Sequence, residues 1–131
     1  MPGKNFGDNV VHPELSYKIM GALFKVSNEL GHGHKEKYYE EAVAVALKAA
    51  GLSFKRQIRT QLTFGDSVLG YYILDFLVEG VVVLELKQGR TFSQKNIDQV
   101  HSYLKANKLQ LGIIAQFTSA GVKYKRVVNL Q

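Results

Sequence analysis

Three ionisable residues, Asp75, Glu85 and Lys87, lie inside the most apolar stretch of this 131-residue chain, YYILDFLVEGVVVLELK. That stretch reads as two buried β-strands around a Glu79-Gly80 turn. Burying an unpaired carboxylate or ammonium costs several kcal/mol, at least ~2, so something must compensate it, and a divalent metal is the natural candidate. On the strand Val81 to Lys87, side chains alternate between faces. Glu85 and Lys87 therefore share one face, while Val82, Leu84 and Leu86 take the other. A single face offers a hard oxygen ligand and a cation together.

Whether Asp75 joins them depends on register. With a two-residue Glu79-Gly80 loop, Val78 pairs with Val81, Asp75 falls opposite Leu84, and its carboxylate turns away from Glu85. A connection of odd length, such as Glu79-Gly80-Val81, or a bulge that adds one residue, brings the two carboxylates side by side. Gly80 supplies the positive φ that such a connection needs. The expectation is a three-residue connection or a bulge, with Asp75, Glu85 and Lys87 on one face and Glu36 near them.

Composition narrows the ligands and partners. With 46% hydrophobic residues the chain is expected to form one domain over residues 1–131, with residues 1–11 mobile. No apolar run reaches the ~18 residues of a membrane span, and MPGKNFGDNV lacks the apolar core of a signal peptide, so a cytoplasmic location is expected. The chain has no cysteine, which excludes disulfides, thiolate zinc sites and thiol nucleophiles; any metal must use oxygen or imidazole. The formal charge of +6 favours a polyanionic partner. Cations crowd Lys55-Arg56-Arg59 and Lys123-Lys125-Arg126, whereas acidic residues sit in the core strands. A small acidic centre in a basic surround suits a metal and phosphates.

Pro13 fits the first turn of a helix carrying Leu15, Ile19, Leu23, Val26 and Leu30, which Gly31 stops. A second helix runs from about His34 to Ala50 on the stripe Tyr39, Val43, Ala46, Leu47, and one turn back that stripe meets Glu36. A strand follows from Ser53 to Phe64, with Phe54, Ile58, Leu62 and Phe64 facing one way and Lys55, Gln57, Arg59 and Gln61 the other. A second strand ends near Val78 and a third at Lys87. Ser93 caps a third helix with Ile97, Val100 and Leu104, followed by strands at Leu111 to Phe117 and about Tyr124 to Leu130. The order is ααβββαββ.

This order, with Asp75 on the second strand and Glu85-Leu86-Lys87 on the third, resembles the PD-(D/E)xK nuclease superfamily. Within it, Gly33, Glu36 and Tyr39 in Gly31-His32-Gly33-His34-Lys35-Glu36-Lys37-Tyr38-Tyr39-Glu40 resemble the signature of the GxxExxY family. Gln99 with Tyr103-Leu104 resembles that family's Q-x3-YL helix, and Leu111-Gly112-Ile113-Ile114 with Phe117 and Lys125-Arg126-Val127-Val128-Asn129 resemble its last strands. Leu74 stands where the superfamily name has proline, and Gln116 where asparagine is expected. The resemblance implies an α/β (α+β) fold with a restriction-endonuclease-like core, a central mixed sheet flanked by helices.

Phosphodiester hydrolysis needs an activated water, a Lewis acid on the phosphate and charge stabilisation as the bond breaks. Asp75 and Glu85, with the Leu86 backbone carbonyl, are the candidate ligands for Mg2+ or Mn2+. Lys87 would position the water and offset phosphate charge. Glu36 would add an oxygen donor from the second helix, and Gln99 a supporting hydrogen bond from the third. Each has a plainer reading: a structural Asp75–Lys87 ion pair, Glu36 placed by the helix dipole, Gln99 capping backbone, Tyr39 as core, His32 and His34 facing solvent. The expected function is a Mg2+-dependent DNA endonuclease, with branched DNA among the expected substrates and a homodimer supplying two centres. The rival is a non-catalytic nucleic-acid-binding module in a repair or defence complex.

Overall fold

The computed structural model describes residues 11–88 and 92–130; the expected mobile start falls, but for Val11, outside them. Helix α1, Pro13–Leu30, opens with proline at its first turn and ends at Gly31, whose φ of 78° no β-carbon opposes. Its buried stripe of Ile19, Ala22, Leu23 and Val26 follows the helical period. Helix α2, Glu36–Ala49, buries Tyr39, Val43, Ala46 and Leu47. The start expected at His34 is two residues early, because the chain remains non-helical through Lys35.

Strands β1 (Phe54–Phe64), β2 (Ser67–Val78) and β3 (Val82–Lys87) form an antiparallel meander. Helix α3, Gln94–Ala106, then carries the chain across the sheet, so that β4 (Leu111–Thr118) lies parallel to β3. Ser93 caps α3 as its sequence suggested, accepting the Asn96 N–H at 3.2 Å. Strand β5, Gly121–Val128, returns antiparallel and starts earlier than its composition suggested, because Thr118 and Gly121 close a short hairpin. The result is one mixed sheet in the order β1-β2-β3-β4-β5, consistent with a restriction-endonuclease-like core.

Helices α1 and α2 pack on one face against Phe76, Val82, Leu84, Leu86, Ile113 and Ala115. Helix α3 packs on the other against Val83, Ile114 and Val127. The single-face reading of β1 needs correction. Phe54 packs with the α1–α2 core but Ile58 with the α3 core, and on β2 the same exchange separates Phe76 and Val78 from Tyr72 and Leu74. Gln57, at φ 52°, turns the strand over at that point, and Leu62 and Phe64 beyond it are exposed. Register places Asp75 opposite this residue, between Ile58↔Leu74 and Arg56↔Phe76.

Candidate metal centre

The site starts in the β2–β3 connection. Glu79 (φ 53°) and Gly80 (φ 72°) are both left-handed, and Val81 donates its N–H to the Val78 carbonyl at 3.0 Å. Glu79 is held in this costly conformation by its neighbours. Its N–H reaches the Ser53 carbonyl at 2.9 Å, and its Oε2 accepts the Ser53 N–H at 2.7 Å. Val81 is then the odd residue, and β3 begins at Val82, paired with Val78. Regular pairing ends at Phe76↔Leu84, and just beyond it Asp75 and Glu85 meet through their side chains. The odd connection expected from the sequence is present, and it puts the two carboxylates together.

Each carboxylate accepts a backbone N–H from the facing strand. Glu85 Oε1 takes that of Asp75 and Asp75 Oδ2 takes that of Leu86, both at 2.7 Å. Lys87 Nζ stands 3.9 Å from Glu85 Oε2, so the cation leans to Glu85, and no Asp75–Lys87 ion pair forms among the described residues. Glu85 is only 6% exposed. Burial first, and the Asp75 charge second, push its carboxyl up to about 8. The Asp75 carboxyl is also raised, chiefly by burial; the Leu86 N–H opposes this, and Glu40 and Glu36 add repulsion.

This is a donor set short of positive charge. Two hard carboxylates crowd one site, two more bear on it from α2, and a single lysine answers them at 3.9 Å. A dication fits such a set. Among the described residues no three His, Asp or Glu side chains gather closely enough to enclose an ion. Asp75, Glu85 and the Leu86 carbonyl would therefore hold it with the rest of its shell left to water, which suits Mg2+.

The other expected residues fall as follows. Glu36 is exposed at the start of α2 and acts on Asp75 through its charge rather than completing a three-carboxylate cluster. Gln99 is half-buried on α3. Its backbone carbonyl accepts the Tyr72 hydroxyl at 3.2 Å, and its side chain forms no hydrogen bond to Asp75, Glu85 or Lys87 among the described residues. Tyr39 is core, as its stripe implied: its hydroxyl donates to the Gly31 carbonyl at 2.7 Å and its ring stacks on Phe117 at 4.6 Å. That bond clamps the Gly31 turn to the helix. His32 and His34 are exposed.

Two contributors were missed. Glu40 lies one helical turn beyond Glu36 and bears on Asp75 more strongly; it also binds Arg56 at 3.1 Å and Gln57 at 2.7 Å. Its i, i+4 spacing from Glu36 was the available signal. Gln116 is buried beside Lys87 across β3 and β4, at the edge of a cavity of about 230 Å3 that Gly33, His34, Glu36, Tyr39 and Lys87 also line. The sequence marked this position only as one where asparagine is expected.

The expected basic clusters also need correction. Arg56 is taken by Glu40 and Glu41, and Arg126 by Ser16 at 2.7 Å. Lys123 and Lys125 remain exposed, and register rows place Lys87, Gln116 and Lys123 side by side, next to Glu85, Ile114 and Lys125. Paired residues share a face of the sheet, so these two lysines lie on the face of the carboxylate pair.

With the crossed sheet and its paired acidic centre in view, the sequence match over residues 13–127 is to the PD-(D/E)XK nuclease superfamily, and the chain belongs to that superfamily. Its members are, in general, nuclease hydrolases. No curated relative matches the chain. Among solved structures, the crystal structure of SSO0001 aligns with 92% of this chain and 79% of its own, at 14% identity and a TM-score of 0.48. No helix among the described residues is long and apolar enough to cross a membrane.

Proposed function

We propose that the protein is a Mg2+- or Mn2+-dependent DNA endonuclease of the GxxExxY type, acting as a homodimer, with branched DNA among its substrates. The observation that carries this reading is the odd-length β2–β3 connection, with Asp75 hydrogen-bonded to Glu85 just beyond it and Lys87 3.9 Å from Glu85. A regular two-residue hairpin would have parted them. The GxxExxY assignment draws on the Gly31–Tyr39 clamp, and the DNA partner on Lys123 and Lys125 lying on the site's face.

A bound dication supplies Lewis acidity to the scissile phosphate and lowers the cost of ionising both carboxylates. The remaining work belongs to the chain. Asp75 and Glu85 fix the centre, each oriented by a backbone N–H at 2.7 Å. Lys87 holds the attacking water in line with phosphorus and offsets the charge gathering on the phosphate oxygens as the leaving oxygen departs. Glu36 and Glu40 raise the demand for positive charge at Asp75. Lys123 and Lys125 would take flanking phosphates.

The test is incubation of purified protein with Mn2+ or Mg2+ and a panel of linear duplex, single-stranded and four-way DNA, with matched RNA. Cleavage of DNA by the wild type, absent in Asp75→Ala, is the expected result. Binding without cleavage in either metal would favour the non-catalytic module. Absence of binding at low salt would reject a nucleic-acid function.

A further inference from the structure

We propose that the outer half of the β1–β2 hairpin is the surface on which a second copy of this chain docks, the two β1 edges pairing antiparallel about a two-fold axis at Leu62. The inference gives the proposed homodimer its contact face and rests on that part of the functional reading. Among the described residues, β3 pairs with β2 only at Phe76, Leu77 and Val78. The rest of β2, back to Ser67, pairs with β1 alone as a two-stranded ribbon. Helix α3 supports its root, where the Tyr72 hydroxyl donates to the Gln99 carbonyl. Beyond that, every residue from Gln61 to Leu69 is exposed. A ribbon of two strands is marginal in water by itself.

This ribbon is also apolar. Leu62, Phe64, Val68, Leu69, Tyr71 and Ile73 are all exposed, Phe64 at 77% and Leu69 at 62%. Leu62 and Phe64 stand opposite Gly70 and Ser67, partners too small to cover them, while Val68, Tyr71 and Ile73 take the other face. Six such side chains lie at the upper end of the ~300–600 Å2 that the largest apolar patch of a typical monomer reaches. Two of these surfaces meeting bury on the order of 1,000 Å2, the threshold of a specific interface. The free edge is ready for pairing. Strand β1 keeps regular register from Ile58 to Phe64, because the bulge at this level adds Leu69 to β2, the inner strand.

The charges choose the occupant. From Ile58 to Leu74 the ribbon carries only Arg59 and Asp66, which cancel, so a chain of net +6 is not repelled by its own copy here. A polyanion finds no excess cation, and Leu62, Val68, Leu69 and Ile73 offer no ring for a base to stack on. Self-complementarity then favours a second copy over an unrelated protein. Antiparallel pairing centred on Leu62 sets Leu62 against the partner's Leu62, Thr60 against the partner's Phe64, and Arg59 beside the turn that carries the partner's Asp66. Arg59 is already held in its own arm, with its guanidinium 3.9 Å from the Tyr71 ring centroid.

Sedimentation velocity of the purified protein, without DNA or metal, tests this over a concentration series spanning the micromolar range. The wild type should pass from monomer to dimer as concentration rises. Leu62→Arg sets two cations on the axis and should raise the dissociation constant at least about tenfold. Its melting temperature at monomer concentrations should hold, because Leu62 is exposed. Arg59→Asp should weaken the dimer and adding Asp66→Arg should restore it, a rescue that a general loss of folding could not produce. Association equal to wild type in Leu62→Arg, or an Arg59→Asp defect that Asp66→Arg leaves uncorrected, would overturn the arm and leave the dimer to another face. A wild type that stays monomeric throughout would overturn the arm and the homodimer together, with metal-dependent cleavage still open to its own test. In such a monomer, a loss of oligonucleotide affinity in Phe64→Ser would make nucleic acid the occupant of the arm instead.

Discussion

Glu85 is the residue on which the centre turns, and its protonation gives two tests. Its carboxyl is raised by burial and by Asp75 to about 8 from an ordinary 4.5. Between those values the folded chain keeps a proton that the unfolded chain has released. Stability should therefore fall as pH rises, by about 1.4 kcal/mol per unit for one such proton, and level off above the folded value. Below 4.5 both states are protonated and the effect is absent; Asp75, also raised, acts in the same direction. Melting curves in EDTA from about pH 5 to 8 should show this decline, and Glu85→Gln should flatten most of it. A flat wild-type profile would contradict the buried, crowded pair. Adding Mn2+ near neutral pH should raise the melting temperature, with the gain lost in Asp75→Ala and Glu85→Ala and partly kept in Glu36→Ala. Equal gains in all four proteins would exclude the pair as the metal site.

At the scale of elements, the β2–β3 connection sets the register. Deleting Val81 would convert it to an even connection and turn Glu85 away from Asp75. The deletion variant should lose any Mn2+-dependent gain in melting temperature even if it folds; a gain equal to wild type would show that register does not matter. A second contact fixes α3. A β-carbon on Gly112 would stand 2.5 Å from Val100 Cγ1, so Gly112→Ala should destabilise by about 1–3 kcal/mol in denaturant unfolding, and a neutral result would show that α3 shifts freely on β4. Most of these elements were legible because helical and two-residue periods, Pro13, Gly31 and Ser93 each act locally. The odd connection was legible too, since parity alone links loop length to the face Asp75 takes. The turnover of β1 at Gln57 was not, because its left-handed φ is held by tertiary contacts to Glu40 that no window of sequence contains. Glu40 escaped for a like reason: its weight comes from Asp75, distant in the chain.

For the whole molecule, strand register sets Glu85, Lys87, Lys123 and Lys125 on one face of the sheet. Arg56 and Arg126 are spent on internal contacts; of the cluster cations that stay exposed, Lys55, Arg59, Lys123 and Lys125, the last two share the face of Glu85 and are the candidate phosphate contacts. Affinity for DNA should fall linearly with the logarithm of salt concentration, and a Lys123→Ala, Lys125→Ala double variant should show a shallower slope. A slope unchanged from wild type would place the DNA elsewhere. Chemistry and binding should separate at Lys87, which touches Glu85 but lies away from these two lysines by two strands. The most direct measurement is the single-turnover rate of DNA cleavage by wild type and Lys87→Ala at matched Mn2+ concentration, with duplex affinity measured in parallel. The account predicts a rate loss of at least about a hundredfold with affinity nearly unchanged. A Lys87→Ala protein that cleaves at the wild-type rate would contradict it.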